Sequence, residues 1–342
     1  MRFNANHLID FAASVLTLAG LEQEKSQIVA EILVEADLMG HTTHGLQLLP
    51  SYVKDLEEGN MLKCGKPEIV NDSGAAITWN GNYLPGPWLV YKAIDLALER
   101  MVQYPVVTLV IQKSHHIACL AAYLERVTAK GYMILISCSD PGNRTVAPFG
   151  GTTGVYSPNP LAAGIPTKGQ PILIDVSMST TANAYVKRAF EENKKLPHPW
   201  LLETNGHVTD DPAKFFDENR ATILPLGGLD DGHKGFALGI LIEALTNALG
   251  GFGRSEKPDR WTASVFIQIV NPAGFGGSEG FMSETDFLRN ECQKSAENVR
   301  LPGQRALSLK EEQLKNGLSL YPSVLGGLQE LSRKWYVILQ CF

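Results

Sequence analysis

The sequence predicts an α+β protein on three observations. Apolar residues recur at helical spacing near both ends, helical segments alternate with short strand-like runs in the middle, and no complete Gly-x-Gly-x-x-Gly fingerprint marks a conventional Rossmann fold. At 342 residues the chain exceeds the usual reach of one hydrophobic core, so two domains are expected, and an apolar content of 44% fills both. The division places residues 1–75 with 300–342 in a helical domain and 76–299 in an α/β domain.

Asn6 is placed to cap a first helix whose Leu8, Ile9, Phe11, Ala12, Val15 and Leu16 repeat at helical spacing, and Gly20 closes it. Ile28, Val29, Ile32, Leu33 and Ala36 form a second stripe that ends at Gly40. Leu46, Leu49, Tyr52, Val53 and Leu56 predict a third helix from near Gly45 to Gly59. The period changes from Ile69, and Ala76 to Trp79, Asn80-Gly81 and Tyr83-Leu84 read as a hairpin with a tight turn. Helix (Trp88 to Met101), strand (Val106 to Ile111), helix (Ala118 to Lys130) and strand (Met133 to Ser137) then alternate. Strands come next at Leu161 to Ile165 and Ile172 to Asp175, then a helix at Lys234 to Leu249, a strand at Ala263 to Val270 and a helix near Glu284 to Asn298. Beyond Pro302-Gly303, Leu309 to Leu314 and Val324 to Leu331 return to helical spacing and are expected to pack on the N-terminal helices.

A formal charge of −6, with Lys and Arg dispersed, supplies no basic stripe for nucleic acid or an anionic membrane. The first residues open into an amphipathic pattern rather than a leader, no apolar run is long enough to span a bilayer, and a cytoplasmic protein is expected. Cys64, Cys119, Cys138, Cys292 and Cys341 are odd in number and contain no Cys-x-x-Cys pair, so they read as reduced thiols.

The Gly40 to Pro50 stretch places His41, Thr42, Thr43 and His44 between helical segments. On these residues alone an ordinary turn explains them more simply than proton transfer does, although a His before a helix N-terminus favours the neutral imidazole that a general base needs. Ser114-His115-His116, between strand and helix, reads equally as a cap or a reactive pair. The loop at Ser139-Asp140 and the run Asp175 to Thr181 offer backbone N–H groups and hydroxyls to a phosphate, or simply cap the next segment. Gly227 to Gly235 puts His233 and Lys234 at a helix start with the wrong spacing for a Walker A loop. No zinc motif or nucleophile elbow is present, so no metal is expected, and proton transfer by His beside a bound cofactor remains.

Taken together, these loops resemble the malate/L-lactate dehydrogenase family of non-Rossmann oxidoreductases over nearly the whole chain. The carriers are Gly40 to Gly45, Leu49-Pro50-Ser51-Tyr52-Val53, Ser114-His115-His116, Val146 to Gly151, Asn159-Pro160-Leu161, Ile174 to Ser179, Leu224 to Gly228, Gly232 to Gly235 and Pro302-Gly303-Gln304. The resemblance implies a homodimer that uses NAD, or else NADP, with a helical domain from both termini and a mixed-sheet nucleotide-binding domain that is not doubly wound. It implies His44 as proton donor and acceptor and His116 as a second acid-base or substrate-binding histidine. Cofactor contacts fall on Ser139, Asp140, Ile174, Asp175, Val176, Ser177, Met178, Ser179, His233, Lys234, Gly303 and Gln304. Substrate contacts are expected at Thr43, Leu48, Tyr52, Arg144 and Asn159. Many members carry Arg three or four residues after the catalytic His, where this chain has Gln47 and Leu48; Arg144 is the substitute anion clamp. Asp175 favours NAD on charge grounds, whereas Lys187 and Arg188 would accept the extra phosphate of NADP. The expected reaction is hydride transfer to or from a small 2-hydroxy or 2-oxo acid. A cyclic ketimine reductase and a catalytically silent nucleotide-binding homologue are the alternatives.

Overall fold

The computed structural model describes residues 2–340, so Cys341 lies outside the described residues. A short strand β1 (Arg2–Phe3) leads into α1 (Ala5–Leu18), capped by Asn4, whose side chain accepts from the Asn6 N–H; the cap lies two residues before the one expected. α2 (Gln23–Leu38) ends before Gly40, and a 3-10 turn (Leu46–Leu48) runs into α3 (Leu49–Glu58), which Gly59 closes in a left-handed conformation.

β2 (Glu68–Asp72) and β3 (Ala76–Asn80) form the hairpin here. The turn lies between them, at Ser73–Ala75, rather than at Asn80-Gly81, because β3 spends its other edge pairing in parallel with β4 (Val106–Ser114). Between them, α4 (Gly86–Arg100) buries Trp88, Leu89, Val90, Ala93, Ile94 and Ala97. The long helix expected from Ala118 breaks into a 3-10 turn and a single turn, α5 (Glu125–Thr128). Ala118 has φ 58°, a left-handed conformation that no helix continues through.

β5 (Met133–Ser139), β6 (Leu161–Ile165) and β7 (Ile172–Val176) come next, then α6 (Asn183–Glu191) and a small sheet of β8 (Leu201–Leu202), β9 (Val208–Thr209) and β10 (Thr222–Ile223) that periodicity did not reveal. α7 (Gly228–Glu243) starts six residues ahead of the expected Lys234, so His233 and Lys234 lie inside it rather than at its N-terminus. β11 (Ala263–Val270), α8 (Ser278–Lys294), α9 (Gln304–Asn316), β12 (Leu318–Ser319) and α10 (Pro322–Trp335) complete the chain. As the sequence predicts, the C-terminal helices return to the N-terminal ones: α9 packs on α2, and α10 on α1 and α3.

The main sheet is mixed, with seven strands in the order β2-β3-β4-β11-β5-β6-β7. The late strand β11 inserts antiparallel between β4 and β5, and six of its eight residues are buried. Register then decides where the loops meet. Ala263 opposes Ser114, Ser264 opposes Ser139, and Leu161 opposes both Ser137 and Val176. The segments after β4, β5 and β7 and those before β6 and β11 therefore open at one end of the strands. The core runs without interruption from Leu8 and Leu33 in the terminal helices to Leu109, Ile136 and Ile267 in the sheet.

Candidate functional site

This end of the strands brings the loops after β4, β5 and β7 to the His41–Gly45 turn. That turn is tethered: the His41 N–H donates to Ala36 O at 2.8 Å, the His44 N–H to His41 O at 2.9 Å and the Leu46 N–H to Asp37 Oδ2 at 2.7 Å. Gly45 is required by the last contact, since a Cβ there would stand 2.3 Å from Asp37 Cγ.

His44 and His116 face one another with ring centroids 5.9 Å apart and both line a cavity of about 460 Å³. Trp261, from the segment before β11, stacks on His116 at 4.3 Å. The Ala118 N–H donates to His116 Nδ1 at 3.3 Å, and the Tyr52 hydroxyl sits 2.9 Å from the same nitrogen. A backbone N–H only donates, so the proton of the neutral ring belongs on Nε2. His116 is thus a donor to whatever lies in front of it. His44 Nδ1 meets Thr43 Oγ1 at 2.9 Å; when Nδ1 donates to that oxygen, Nε2 is left as an acceptor. Burial lowers both imidazoles, His44 to about 4, with the charges of His41 and Arg188 adding to the effect, and His116 well below its ordinary range. Desolvation, more than a helix dipole, keeps His44 neutral. His115 is turned away into a pair with Asp55, Nε2 to Oδ2 at 2.9 Å.

The remaining cavity wall is held by a polar network centred on the half-buried Glu243 and Arg254. Arg254 donates to both carboxylate oxygens of Glu243 (3.0 and 2.7 Å), to Ser139 Oγ (3.0 Å) and to the Asn143 carbonyl (2.5 Å). Glu243 also accepts from Asn159 Nδ2 and Ser139 Oγ, each at 2.8 Å, and from Asn247 Nδ2 at 2.6 Å. Ser139 and Asn159 therefore spend their side chains inside this network, although Asn159 borders the cavity. Asp140 also borders it, and burial pushes its carboxyl up to about 7.

A second cavity, about 1020 Å³, shares His41 and Asp175 with the first. Its wall includes Ile174, Val176, Gly303 and the exposed Arg300 and Arg305 beside the N-terminus of α9. Gly303 has φ 82°, and a Cβ there would lie 2.9 Å from the Leu173 backbone N and O, so the turn sits hard against β7. Size, cations and helix N-terminus suit an elongated anionic ligand such as a dinucleotide.

Other expected contacts are placed elsewhere. Ser177 borders the smaller cavity, but Met178 and Ser179 are buried outside both walls, and Gln304 turns back to accept from the Leu301 N–H. His233 and Lys234 lie exposed on α7, Lys234 paired with Asp231 at 2.6 Å. Leu48 and Thr43 line the smaller cavity, whereas Tyr52 is buried behind His116. Arg144 is exposed and borders neither cavity, so the structure does not supply it as the anion clamp. Arg188, expected beside an NADP phosphate, instead donates to Thr42 Oγ1 at 3.1 Å and to Gln47 Oε1.

The sequence profile of malate/L-lactate dehydrogenases matches residues 3–329. The chain belongs to that family. Among curated relatives, the malate/(S)-sulfolactate dehydrogenase of Methanothermus fervidus is 30% identical over 325 residues, covering 93% of each chain. Among solved structures, the malate dehydrogenase of Pyrococcus horikoshii superposes with a TM-score of 0.88 at 25% identity, covering 99% of this chain and 96% of that one. The Δ1-piperideine-2-carboxylate reductase of Pseudomonas syringae does so with a TM-score of 0.85 at 25% identity, covering 97% and 99%. The family's relatives are named as dehydrogenases of hydroxy acids, and its membership implies a nicotinamide cofactor. No helix among the described residues is long and apolar enough to cross a membrane.

Sequence reasoning missed Trp261, Asp37 and the Glu243–Arg254 pair. Trp261 offered a signal, a large aromatic in a polar Pro258-Asp259-Arg260 loop at a strand start. The other residues look in sequence like ordinary helix and loop charges.

Proposed function

We propose that the protein is an NAD-dependent dehydrogenase or reductase, with NADP as the alternative cofactor, acting on a small 2-hydroxy or 2-oxo carboxylic acid. The observation that carries this reading is the facing pair of neutral histidines, one left as donor and one available as acceptor, across a cavity that abuts a dinucleotide-sized one. Bound nicotinamide would supply the hydride acceptor or donor. His44 takes the hydroxyl proton in oxidation and returns it in reduction, while His116 Nε2–H orients the same oxygen. Trp261 and Tyr52 hold the His116 ring in place. Ile174, Asp175, Val176, Gly303, Arg300 and Arg305 would hold the dinucleotide, and Asp175 favours the form without a 2′-phosphate. A cytoplasmic homodimer completes the reading.

No Arg or Lys stands among the described residues that line the smaller cavity, in line with Leu48 at the position of the expected clamp. This favours substrates with one carboxylate over those with two, and the likeness to a piperideine carboxylate reductase keeps a cyclic imine in view. The test is a spectrophotometric screen of 2-hydroxy acids, 2-oxo acids and cyclic ketimines with both cofactors. Turnover of a ketimine alone would move the assignment to imine reduction. Cofactor binding with no turnover would make the chain a silent homologue, and an absence of NADH and NADPH binding would overturn the reading altogether.

A further inference from the structure

We propose that His41, Cys119 and Asp175 form a binding site for a thiophilic divalent cation, with Zn²⁺ the best fit, and that its occupation competes with the dinucleotide. The three residues come from three separate segments: the turn after α2, the segment after β4 and the end of β7. One ligand atom of each lies within 4.8 Å of the others, and Cys119 Sγ is 3.7 Å from Asp175 Oδ2. Tetrahedral zinc, with bonds of about 2.0 to 2.3 Å, sets its ligand atoms roughly 3.3 to 3.7 Å apart, so the Cys–Asp pair already has the required spacing and His41 needs a small approach.

His41 and Asp175 are held in place by bonds that coordination would not break. His41 is fixed through its backbone N–H to Ala36 O and its carbonyl to the His44 N–H, leaving the ring free. Asp175 Oδ2 also accepts the Ala121 N–H at 3.0 Å, which orients the carboxylate. One thiol, one imidazole and one carboxylate are a borderline-soft set that selects zinc or cobalt over magnesium or calcium. Three protein ligands leave a fourth position, and it faces space: His41 and Asp175 line both cavities and Cys119 lines the smaller. On loading, the Cys119 thiol now directed at Asp175 gives up its proton to solvent, and the thiolate, imidazole nitrogen and carboxylate oxygen each donate a pair to the cation. A cation there takes up Asp175 at the junction through which the proposed dinucleotide would reach the histidines.

The experiment loads the full chain, freed of metal by chelation, with Co²⁺ and then Zn²⁺. Expected are one Co²⁺ per chain with a thiolate-to-cobalt charge-transfer band and displacement of Co²⁺ by Zn²⁺. Cys119→Ser abolishes the band and weakens Zn²⁺ by at least about tenfold, and His41→Asn weakens it comparably. Cys64→Ser and Cys138→Ser leave the band unchanged. His41 is only half-buried, so its variant keeps the test if Cys119→Ser does not fold. A band that survives Cys119→Ser, a band lost with Cys138→Ser, or no saturable binding overturns the site. In a second arm, Zn²⁺ weakens NADH binding, read by fluorescence, at least about fivefold for the parent chain and not for Cys119→Ser; equal NADH affinity with and without Zn²⁺ overturns the competition. Failure of NADH to bind at all overturns the dehydrogenase reading and leaves the cobalt test standing.

Discussion

His44 combines a turn that holds it still with a desolvated setting that keeps it neutral, and both properties are open to measurement. His44→Ala is expected to lower kcat for hydroxy-acid oxidation by about 10²- to 10⁴-fold, the usual weight of one general base, with the Kd for NADH changed less than about threefold. Parallel loss of both would mean that the ring holds the fold or the cofactor instead. With His44 lowered to about 4, the acid limb of the oxidation profile should fall only as pH approaches that value, because above it the base is already unprotonated. A limb centred near 6.5 would show that the ring is solvated. Asp37 has the opposite sign. Burial pushes its carboxyl up to about 7, against the pull of the Leu46 N–H and the charge of Arg188, and Oδ1 is buried with no hydrogen-bond partner. Its folded pKa stands above the ordinary 3.8, so the contribution to stability is full below 3.8 and is lost as pH rises through about 7. Asp37→Asn should therefore gain on the parent chain in urea midpoint between pH 5 and pH 8; a gap independent of pH would refute the buried neutral acid.

At the scale of elements, the Glu243–Arg254 pair ties α7 to the loop after β5 and, through Asn159, to the segment before β6. The two side chains are 18% and 15% exposed, between a surface pair and a fully buried one. Arg254→Met should cost about 2 to 3 kcal/mol in urea unfolding, since it strands Glu243 among neutral donors with no opposing charge. Arg254→Met with Glu243→Met should recover more than half of that loss; strict additivity would show that the pair does not act as a unit. This network also marks where sequence reading stops. Helices α1 to α4 and strands β4 to β7 and β11 are legible because each carries its own period or a β-branched run. The hairpin partner of β3 was not, because pairing depends on which neighbour claims an edge. Nor was the start of α7, whose first residues, Gly228 to Lys234, mix glycines and charges that look like loop. His44 and His116 stand out as histidines in turns, while Cys119 and Asp175 acquire their proposed shared role only when a loop and a strand end far apart in sequence meet.

For the molecule as a whole, α7 is built inside out. Gly232, Gly235 and Gly239 form its inner face, where a Cβ would meet Phe149 at 3.1 Å, the Leu226 backbone at 2.4 Å and Tyr156 at 2.8 Å. Close approach explains the glycines; Phe236 and Ile242 still pack inward, whereas Leu238, Ile240 and Leu241 point outward. Leu238 is 43% exposed and Ile240 and Leu241 are each 50% exposed, on a helix whose surface position should favour charge. Single exposed leucines mean little, but three within one helical turn form a patch that a monomer would leave in water. The homodimer proposed above would cover that patch, and a specific contact of this kind needs roughly 1,000 Å² or more in total. The parent chain should therefore sediment as a dimer. Ile240→Asp combined with Leu241→Asp should weaken association by about 100-fold or more, because each buries a charge at the centre of an apolar contact. Neither position lines a cavity. A double variant that stays dimeric would place the interface elsewhere, whereas one that becomes monomeric and keeps its melting profile would locate it on α7.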